Sequence, residues 1–227
     1  MKRIVLFVEG EGESVAAPIL VNKILNTIPD VWKHVHLDNA PFRVGEINKV
    51  LSNDNWRRKI LAANKRKNVG GVLVLLDGDV KKIGGQNRCL IEIAKELNEQ
   101  ALNFGAATQF SIGIVFAFQE YESWLIASFD SIRGRTFPDG RRMPNEALLP
   151  DNVEISPRDA KGWFKDTIDG GYRPTRDQAE LTRWLDVDAV KAKNLRSFQR
   201  LESAVNELVN AIRTNQHLAT PNKTKEV

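Results

Sequence analysis

The feature that most constrains this sequence is an unbroken apolar run at residues 72–76, which ends at the acidic residues Asp77 and Asp79. A short run of aliphatic and β-branched residues is typical of a strand that is buried on both faces of a parallel sheet. Similar runs occur at 4–8 and 111–118, and helical patterns lie between the three runs. This alternation predicts an α/β domain with a mainly parallel sheet flanked by helices.

The alternation ends near residue 130, and this change marks the predicted domain organisation. Residues 131–160 contain several arginines around a Pro-Asp-Gly turn signal, which predicts a long, exposed basic loop. Beyond residue 161 the spacing of apolar residues predicts only helices. We therefore predict an α/β domain over residues 1–130, followed by a basic loop and a helical C-terminal extension over residues 131–227.

Composition excludes several classes of protein. With one cysteine, Cys89, and three histidines, the sequence cannot form an intramolecular disulfide or a Cys-rich zinc site. No apolar run approaches the roughly 20 residues of a membrane span, and Glu9 interrupts the first run before a signal-peptide core could form. We therefore expect a cytoplasmic protein with no membrane association. The net charge of +4 permits a nucleic-acid partner without requiring one.

Acidic residues follow all three apolar runs, at the points where the predicted strands end. The first run ends at Glu9, the second at Asp77 and Asp79, and the third at Glu120 and Glu122. Active sites of open parallel sheets lie beyond the carboxyl ends of the strands, so we expect these carboxylates to meet. Crowded carboxylates repel one another and require a cation. Oxygen-only ligands favour Mg²⁺ or Mn²⁺, so the pattern predicts a metal site.

Each acidic group also has a simpler interpretation. Helix N-termini prefer Asp and Glu, so acids after a strand can cap a helix or remain solvated. Glu11 and Glu13 are expected to do one or the other. The joint occurrence of the three acidic groups favours the metal site. Glu9, Asp77 and Asp79 are its strongest candidate residues, because they directly follow the first and second predicted strands.

Two of these motifs resemble the Toprim fold of topoisomerases, primases, recombination proteins and OLD-type nucleases. They are Val-Glu-Gly at residues 8–10 and Leu-Leu-Asp-Gly-Asp at residues 75–79. The resemblance implies that Glu9 acts as a general acid/base or metal ligand. It also implies that Asp77 and Asp79 hold Mg²⁺.

A narrower resemblance extends along the whole chain. The sequence is similar to bacterial Toprim-like proteins of about this length, which resemble the small nuclease-like partners of ATPases in phage-defence operons. The matching motifs are Glu-x-Glu-x-Trp at 120–124, Pro-Arg-Asp-Ala-Lys at 157–161, Tyr172 with Thr175, and Ser-Phe-x-x-Leu at 197–201. The resemblance implies a partner ATPase and a second metal at Glu120 and Glu122. It also implies that Lys161 is a basic catalytic residue near the scissile phosphate.

The function expected from these features is a metal-dependent nuclease, or another hydrolase that acts on phosphodiesters. Glu9, Asp77, Asp79 and Lys161 are its predicted catalytic residues. Arginine binds phosphate through two hydrogen bonds, so the basic loop is a candidate binding surface for DNA or RNA. The four arginines concerned are Arg133, Arg135, Arg141 and Arg142. The alternative for the loop is a solvated surface without a ligand.

Two other functions remain open from the sequence. The chain can be a non-catalytic regulatory subunit that docks on an ATPase, in which case the acidic groups are structural. It can also be a phosphatase of the haloacid-dehalogenase type, with Asp77 as the nucleophile of an Asp-x-Asp motif. In that class of phosphatase the motif normally lies near the chain start. The phosphatase hypothesis also gives no role to the strand that ends at Glu9.

Overall fold

The computed structural model describes residues 1–51, 54–79 and 88–221. Within these ranges the strands form one sheet in which every pairing is parallel. Its order is β2-β1-β4-β5-β6, and β3 also pairs with β1. The strands are β1 (Lys2–Val8), β2 (Val35–Leu37), β3 (Phe42–Arg43), β4 (Val69–Asp77), β5 (Ser111–Ala117) and β6 (Ala219–Thr220).

Helices cover both faces of this sheet. They are α1 (Glu11–Leu25), α2 (Ile47–Leu51), α3 (Asp54–Asn64), α4 (Leu90–Leu102), α5 (Glu122–Ala127), α6 (Phe129–Ile132), α7 (Ala160–Thr167), α8 (Ala179–Trp184), α9 (Val187–Ala192) and α10 (Arg196–Thr214). A short 3₁₀ turn at Val31–Lys33 precedes β2, and a π-helical segment at Pro174–Gln178 precedes α8. In the described ranges, no helix is both long and apolar enough to cross a membrane.

The central strands are apolar on both faces, as the sequence predicts. Along β1, Leu6 and Val8 pack with α1 and the C-terminal helices, whereas Val5 and Phe7 pack with α3 and α4. Successive side chains of a strand point to opposite faces, so a strand covered on both sides is an unbroken apolar run. The predicted α/β fold, with a mainly parallel sheet flanked by helices, is confirmed.

The C-terminal region packs directly on the sheet. Helix α10 buries Leu201, Val205 and Leu208 in the same apolar cluster as β1 and β4. Glycine at positions 71 and 113 of the sheet lets α10 approach closely, since a Cβ on Gly71 would lie 3.2 Å from the Leu208 side chain. The predicted α/β domain and C-terminal extension therefore share one hydrophobic core.

The prediction of helices alone beyond residue 161 is wrong at one place. Ala219 and Thr220 form β6, which pairs in parallel with Ile112 and Gly113 of β5. Two residues are too few to show an alternating or apolar pattern. This strand forms because the edge of β5 offers unpaired backbone groups, and that information lies more than 100 residues away in the sequence.

The parallel register brings three strand ends to one edge of the sheet. Val8 lies beside Leu75, and Asp77 lies beside Ala117. The chain leaves β1 at Glu9, leaves β4 after Asp77, and leaves β5 shortly before Glu120. Because the strands are adjacent and run in the same direction, the acidic residues that follow them gather at this carboxyl edge.

Candidate active site

Asp77, the last residue of β4, lies at the centre of the carboxyl edge. Its Oδ1 atom accepts a hydrogen bond of 2.9 Å from the backbone N–H of Tyr121, just before α5. Its Oδ2 atom accepts one of 2.7 Å from the Lys161 ammonium. Both oxygens therefore have fixed partners, and the segment after β5 and helix α7 meet at this one side chain.

Lys161 lies in the first turn of α7 and is shared by three carboxylates. Asp159 caps this helix by accepting a 2.6 Å hydrogen bond from the backbone N–H of Gly162. The Lys161 ammonium donates a 3.0 Å hydrogen bond to Glu120 and lies 3.8 Å from Glu122 Oε2, in addition to its bond with Asp77. Its backbone N–H also donates to Glu120, at 3.1 Å. The lysine is therefore held in place by its main chain as well as by its charge.

Glu122 is fully buried and is held by residues of the C-terminal region. Its Oε1 atom accepts hydrogen bonds of 2.7 Å from the Tyr172 hydroxyl and 3.1 Å from the Gln178 side chain. Its Oε2 atom makes no hydrogen bond among the described residues. Gln178 also donates to Glu13, at 3.3 Å. The buried polar network therefore connects α5, the π-helical segment and α1.

The loop after β1 completes the cluster. A Glu9 carboxylate oxygen lies 3.4 Å from the backbone N–H of Asp77, so the ends of β1 and β4 bring these two acids together. Glu13 accepts a 2.9 Å hydrogen bond from the backbone N–H of Gly10 at the start of α1, so of the two expected roles, capping and solvation, the buried Glu13 has the capping role. We call Glu9, Asp77, Glu120, Glu122 and Lys161 the carboxylate cluster.

Burial and mutual repulsion shift the protonation of this cluster. Burial, together with the neighbouring Asp77 and Glu13, raises the pKa of Glu9 to about 7. Burial also raises the pKa of Glu122 to about 8 and that of Asp77 above its usual range, although Lys161 opposes both rises. Burial disfavours the Lys161 ammonium, but Asp77 and Glu122 outweigh it and raise the lysine pKa. The cluster thus contains more carboxyl groups than its one ammonium can neutralise.

The donor chemistry of the cluster fits a hard divalent cation. Its carboxyl groups offer oxygen ligands only, they outnumber the one ammonium of the cluster, and Glu122 Oε2 is buried without a hydrogen bond among the described residues. In the described part of the chain, no group of three or more His, Cys, Asp or Glu side chains is arranged to hold a metal ion. Instead, the Lys161 ammonium lies among the carboxylates.

The structure brings together most of the residues that the sequence singled out. Glu9, Asp77, Glu120, Glu122 and Lys161 converge, whereas Asp79 is exposed, two residues beyond the end of β4. Sequence reasoning did not assign a role to Tyr172 or Gln178, which bind Glu122. Tyr172 was visible only as part of a family resemblance. No sequence pattern indicates the role of Gln178, because the sequence does not distinguish a buried glutamine from an exposed one.

The four arginines of the predicted basic loop have different surroundings. Arg133, Arg135 and Arg142 are exposed. Arg141 is held inside the protein. Its guanidinium pairs with the buried Asp177, donates a 2.7 Å hydrogen bond to Asp139 and a 2.9 Å bond to the Gly171 carbonyl, and lies over the Phe137 ring. These contacts use the guanidinium for structure, so Arg141 does not present it to a ligand as its exposed neighbours can.

The substitution Arg141→Gln is expected to lower the free energy of unfolding by about 1–3 kcal/mol, because it removes one of the two arginines that neutralise the buried carboxylate of Asp177. Arg176 also pairs with Asp177 and limits the loss. The neighbouring change Arg142→Gln serves as the control, with an expected effect within about 0.5 kcal/mol. Urea denaturation of both variants measures the difference, and equal stabilities would contradict a structural role for Arg141.

The comparison with known proteins identifies a family for this chain. No curated protein and no solved structure matches it. A family model described as a domain of unknown function, DUF4276, matches residues 8–206. The matched region runs from the end of β1 through most of α10 and includes every residue of the carboxylate cluster. Because this match spans most of the sequence, the chain belongs to the DUF4276 family.

Proposed function

We propose that this protein is a metal-dependent hydrolase that cleaves phosphodiester bonds of nucleic acid. The observation that carries the proposal is the convergence of carboxylates from three strand ends on one edge, with Lys161 as the single lysine among them in the described part of the chain. Structural ion pairs rarely need so many acids around one base, since uncompensated buried charge is costly. Sites that handle phosphate and divalent cations require such an excess.

The proposed ligands of the cation are the acids at the ends of β1 and β4. Glu9 directly follows β1, Asp77 is the last residue of the adjacent β4, and Asp79 is exposed two residues further on. Glu120 and Glu122 are held by Lys161, Tyr172 and Gln178 and support the site from its buried side. Asp77 also accepts hydrogen bonds from Tyr121 and Lys161, but each of its oxygens keeps a second lone pair that can bind a cation. When bound, Mg²⁺ or Mn²⁺ polarises a phosphoryl oxygen and makes water a stronger nucleophile.

Lys161 and Glu9 have the chemistry that the remaining steps require. The Lys161 side chain is 34% exposed, so its ammonium can reach a phosphate oxygen at the surface and stabilise negative charge that develops on it. Asp77 and Glu120 hold that ammonium in position, which avoids reorganisation during the reaction. Glu9 is half-buried beside Asp77, and its carboxylate can accept a proton from an attacking water.

The test is hydrolysis by the purified protein, assayed with and without any ATPase encoded beside its gene. We expect cleavage of DNA or RNA in Mg²⁺ or Mn²⁺ and none in EDTA, because the excess carboxylates need the cation to bind a phosphate. The substrates are single- and double-stranded DNA and RNA, and p-nitrophenyl phosphate as a monoester. Cleavage of none of the nucleic acids would contradict the proposal, and hydrolysis of the monoester alone would favour a phosphatase.

A further inference from the structure

A mainly apolar cavity lies beside the carboxylate cluster, and nothing in the proposed chemistry uses it. Its volume is about 810 Å³, within the range of sites that bind small organic groups. Ile114 and Phe116 of β5 line it from the sheet, and Leu90 and Ala94 line it from α4. The cavity extends to Gly78, the residue between Asp77 and Asp79, so it opens next to the site where hydrolysis would occur.

The rim of the cavity carries exposed apolar side chains. Phe118 directly follows β5 and is 40% exposed, and Ile91 and Ile155 are 56% and 67% exposed. Single exposed apolar residues need no explanation, but three such residues around one concave site are typical of a ligand-binding surface. A flat aromatic ring at the edge of an apolar cavity is suited to stacking against a planar heterocycle.

The charge around the cavity favours an anionic ligand. Arg88, Arg196 and Arg200 line it. Arg88 pairs with Glu96 and Arg200 with Glu207, whereas the exposed Arg196 has no ion-pair partner among the residues that the structure describes. Arginine at such a position can bind a phosphate through two hydrogen bonds.

Among the described residues that line the cavity, Glu154 is the one acid, and backbone N–H groups engage its carboxylate. Glu154 accepts hydrogen bonds of 3.0 and 2.8 Å from the backbone N–H groups of Arg196 and Ser197. Its carboxylate thereby caps the first turn of α10. The exposed Arg196 guanidinium therefore remains the donor through which the cavity can bind an anion.

Gly78 joins the cavity to the carboxylate cluster. Its backbone N–H donates to the carbonyls of Ala117 and Gln119, so the strand end is fixed against the segment after β5. A Cβ at this position would lie 2.9 Å from the Ala117 carbonyl and 2.9 Å from the Leu90 side chain. Protein atoms therefore fill the space beside Gly78, and glycine is needed there for this close packing. Because Gly78 lines the cavity and lies between Asp77 and Asp79 in the chain, a ligand in the cavity can place an attached phosphate close to these two acids.

We propose that this cavity binds the base of a nucleotide in single-stranded nucleic acid, with Phe118 stacked on the base and Arg196 on a phosphate. The inference rests on the proposed function, since it names the substrate class of the same site. A base within a duplex is paired and stacked and enters such a cavity only after it has been extruded. An unpaired strand can insert a base without that cost.

Equilibrium binding tests the proposal without requiring catalysis. The probe is a fluorescein-labelled oligothymidylate in EDTA, followed by fluorescence anisotropy. We expect it to bind more tightly than a duplex of equal length. Phe118→Ala is expected to weaken binding about tenfold, the size of effect typical for loss of one stacking contact. Arg196→Gln is also expected to weaken binding about tenfold, because it removes a charge-assisted hydrogen bond to a phosphate. Phe118→Tyr, which keeps the ring, should retain affinity.

Trp32→Ala is the matched control, because Trp32 is 41% exposed and does not line the cavity. Affinity unchanged in both Phe118→Ala and Arg196→Gln would overturn the proposal. An oligonucleotide of abasic sites that binds as well as oligothymidylate would also overturn it, since it has the same backbone charge without bases.

The same variants separate this inference from the proposed function. Base-dependent binding without metal-dependent cleavage would leave the cavity assignment standing and contradict the hydrolase. Metal-dependent cleavage that Phe118→Ala and Arg196→Gln leave unchanged would support the hydrolase and contradict the cavity assignment.

Discussion

Replacement of Asp77 by asparagine is expected to lower metal-dependent cleavage by about a thousandfold while the protein stays folded. Asparagine has the same shape as aspartate, and its Oδ1 can still accept the hydrogen bond from Tyr121 N–H. The substitution removes the charge that pairs with Lys161 and that would hold a divalent cation. Asp79→Asn should also lower the cleavage rate, since Asp79 is a proposed ligand of the same ion.

The rate is measured with wild type and variants under the same metal conditions, and circular dichroism checks the fold. Asp188→Asn is the control, because this side chain is 89% exposed and lies outside the cluster. Full activity of the Asp77→Asn, Asp79→Asn double variant would contradict catalysis at this edge. Cleavage that depends on an added ATPase and survives the double substitution would favour a regulatory subunit that acts by docking on that ATPase.

Replacement of Lys161 by methionine is expected to lower the free energy of unfolding by about 2–4 kcal/mol in metal-free buffer. The substitution keeps most of the side-chain length but leaves Asp77, Glu120 and Glu122 without their shared ammonium. Loss of one partner from a buried ion pair costs about 3–5 kcal/mol, and the partial exposure of Lys161 reduces this figure through solvent screening.

Lys165→Met is the matched control, since Lys165 lies one turn later on α7 and is exposed. Denaturation in urea is compared for wild type and both variants. Equal stability of Lys161→Met and wild type would show that the Lys161 ammonium does not offset the repulsion among the carboxylates of the cluster.

Added Mn²⁺ should raise the melting temperature of Lys161→Met by more than that of the wild type. The variant has a larger excess of carboxylate, and a ligand that binds only the folded state stabilises it. The melting temperature is recorded over a titration of Mn²⁺ for both proteins. A response no larger in the variant than in the wild type would contradict cation binding at these carboxylates.

Much of the fold and part of the site could be predicted from local sequence patterns. The apolar run before Asp77 identifies β4, and an acid immediately after such a run must lie at the carboxyl end of the strand. The same argument places Glu9 at the end of β1. Parallel pairing then makes these two acids neighbours. These inferences succeed because strand periodicity and strand direction are properties of a few consecutive residues.

Contacts between distant segments could be decided only by the tertiary structure. Asp77 and Lys161 are 84 positions apart, and Glu122 and Gln178 are 56 apart, so no local pattern records that they meet. The burial of Arg141 against Asp177 is equally invisible, because an arginine in a polar loop reads as exposed. The cavity beside Gly78 exists because β5, α4 and α10 enclose it.

Local patterns in the sequence therefore predict the parallel α/β sheet and the edge at which its acids gather. The packing of the C-terminal helices decided which carboxylates share Lys161, which arginines stay exposed, and where an apolar cavity opens beside them. Secondary structure and strand direction follow from local hydrophobic spacing, whereas charge pairing and cavity shape depend on long-range packing that many sequences satisfy in different ways.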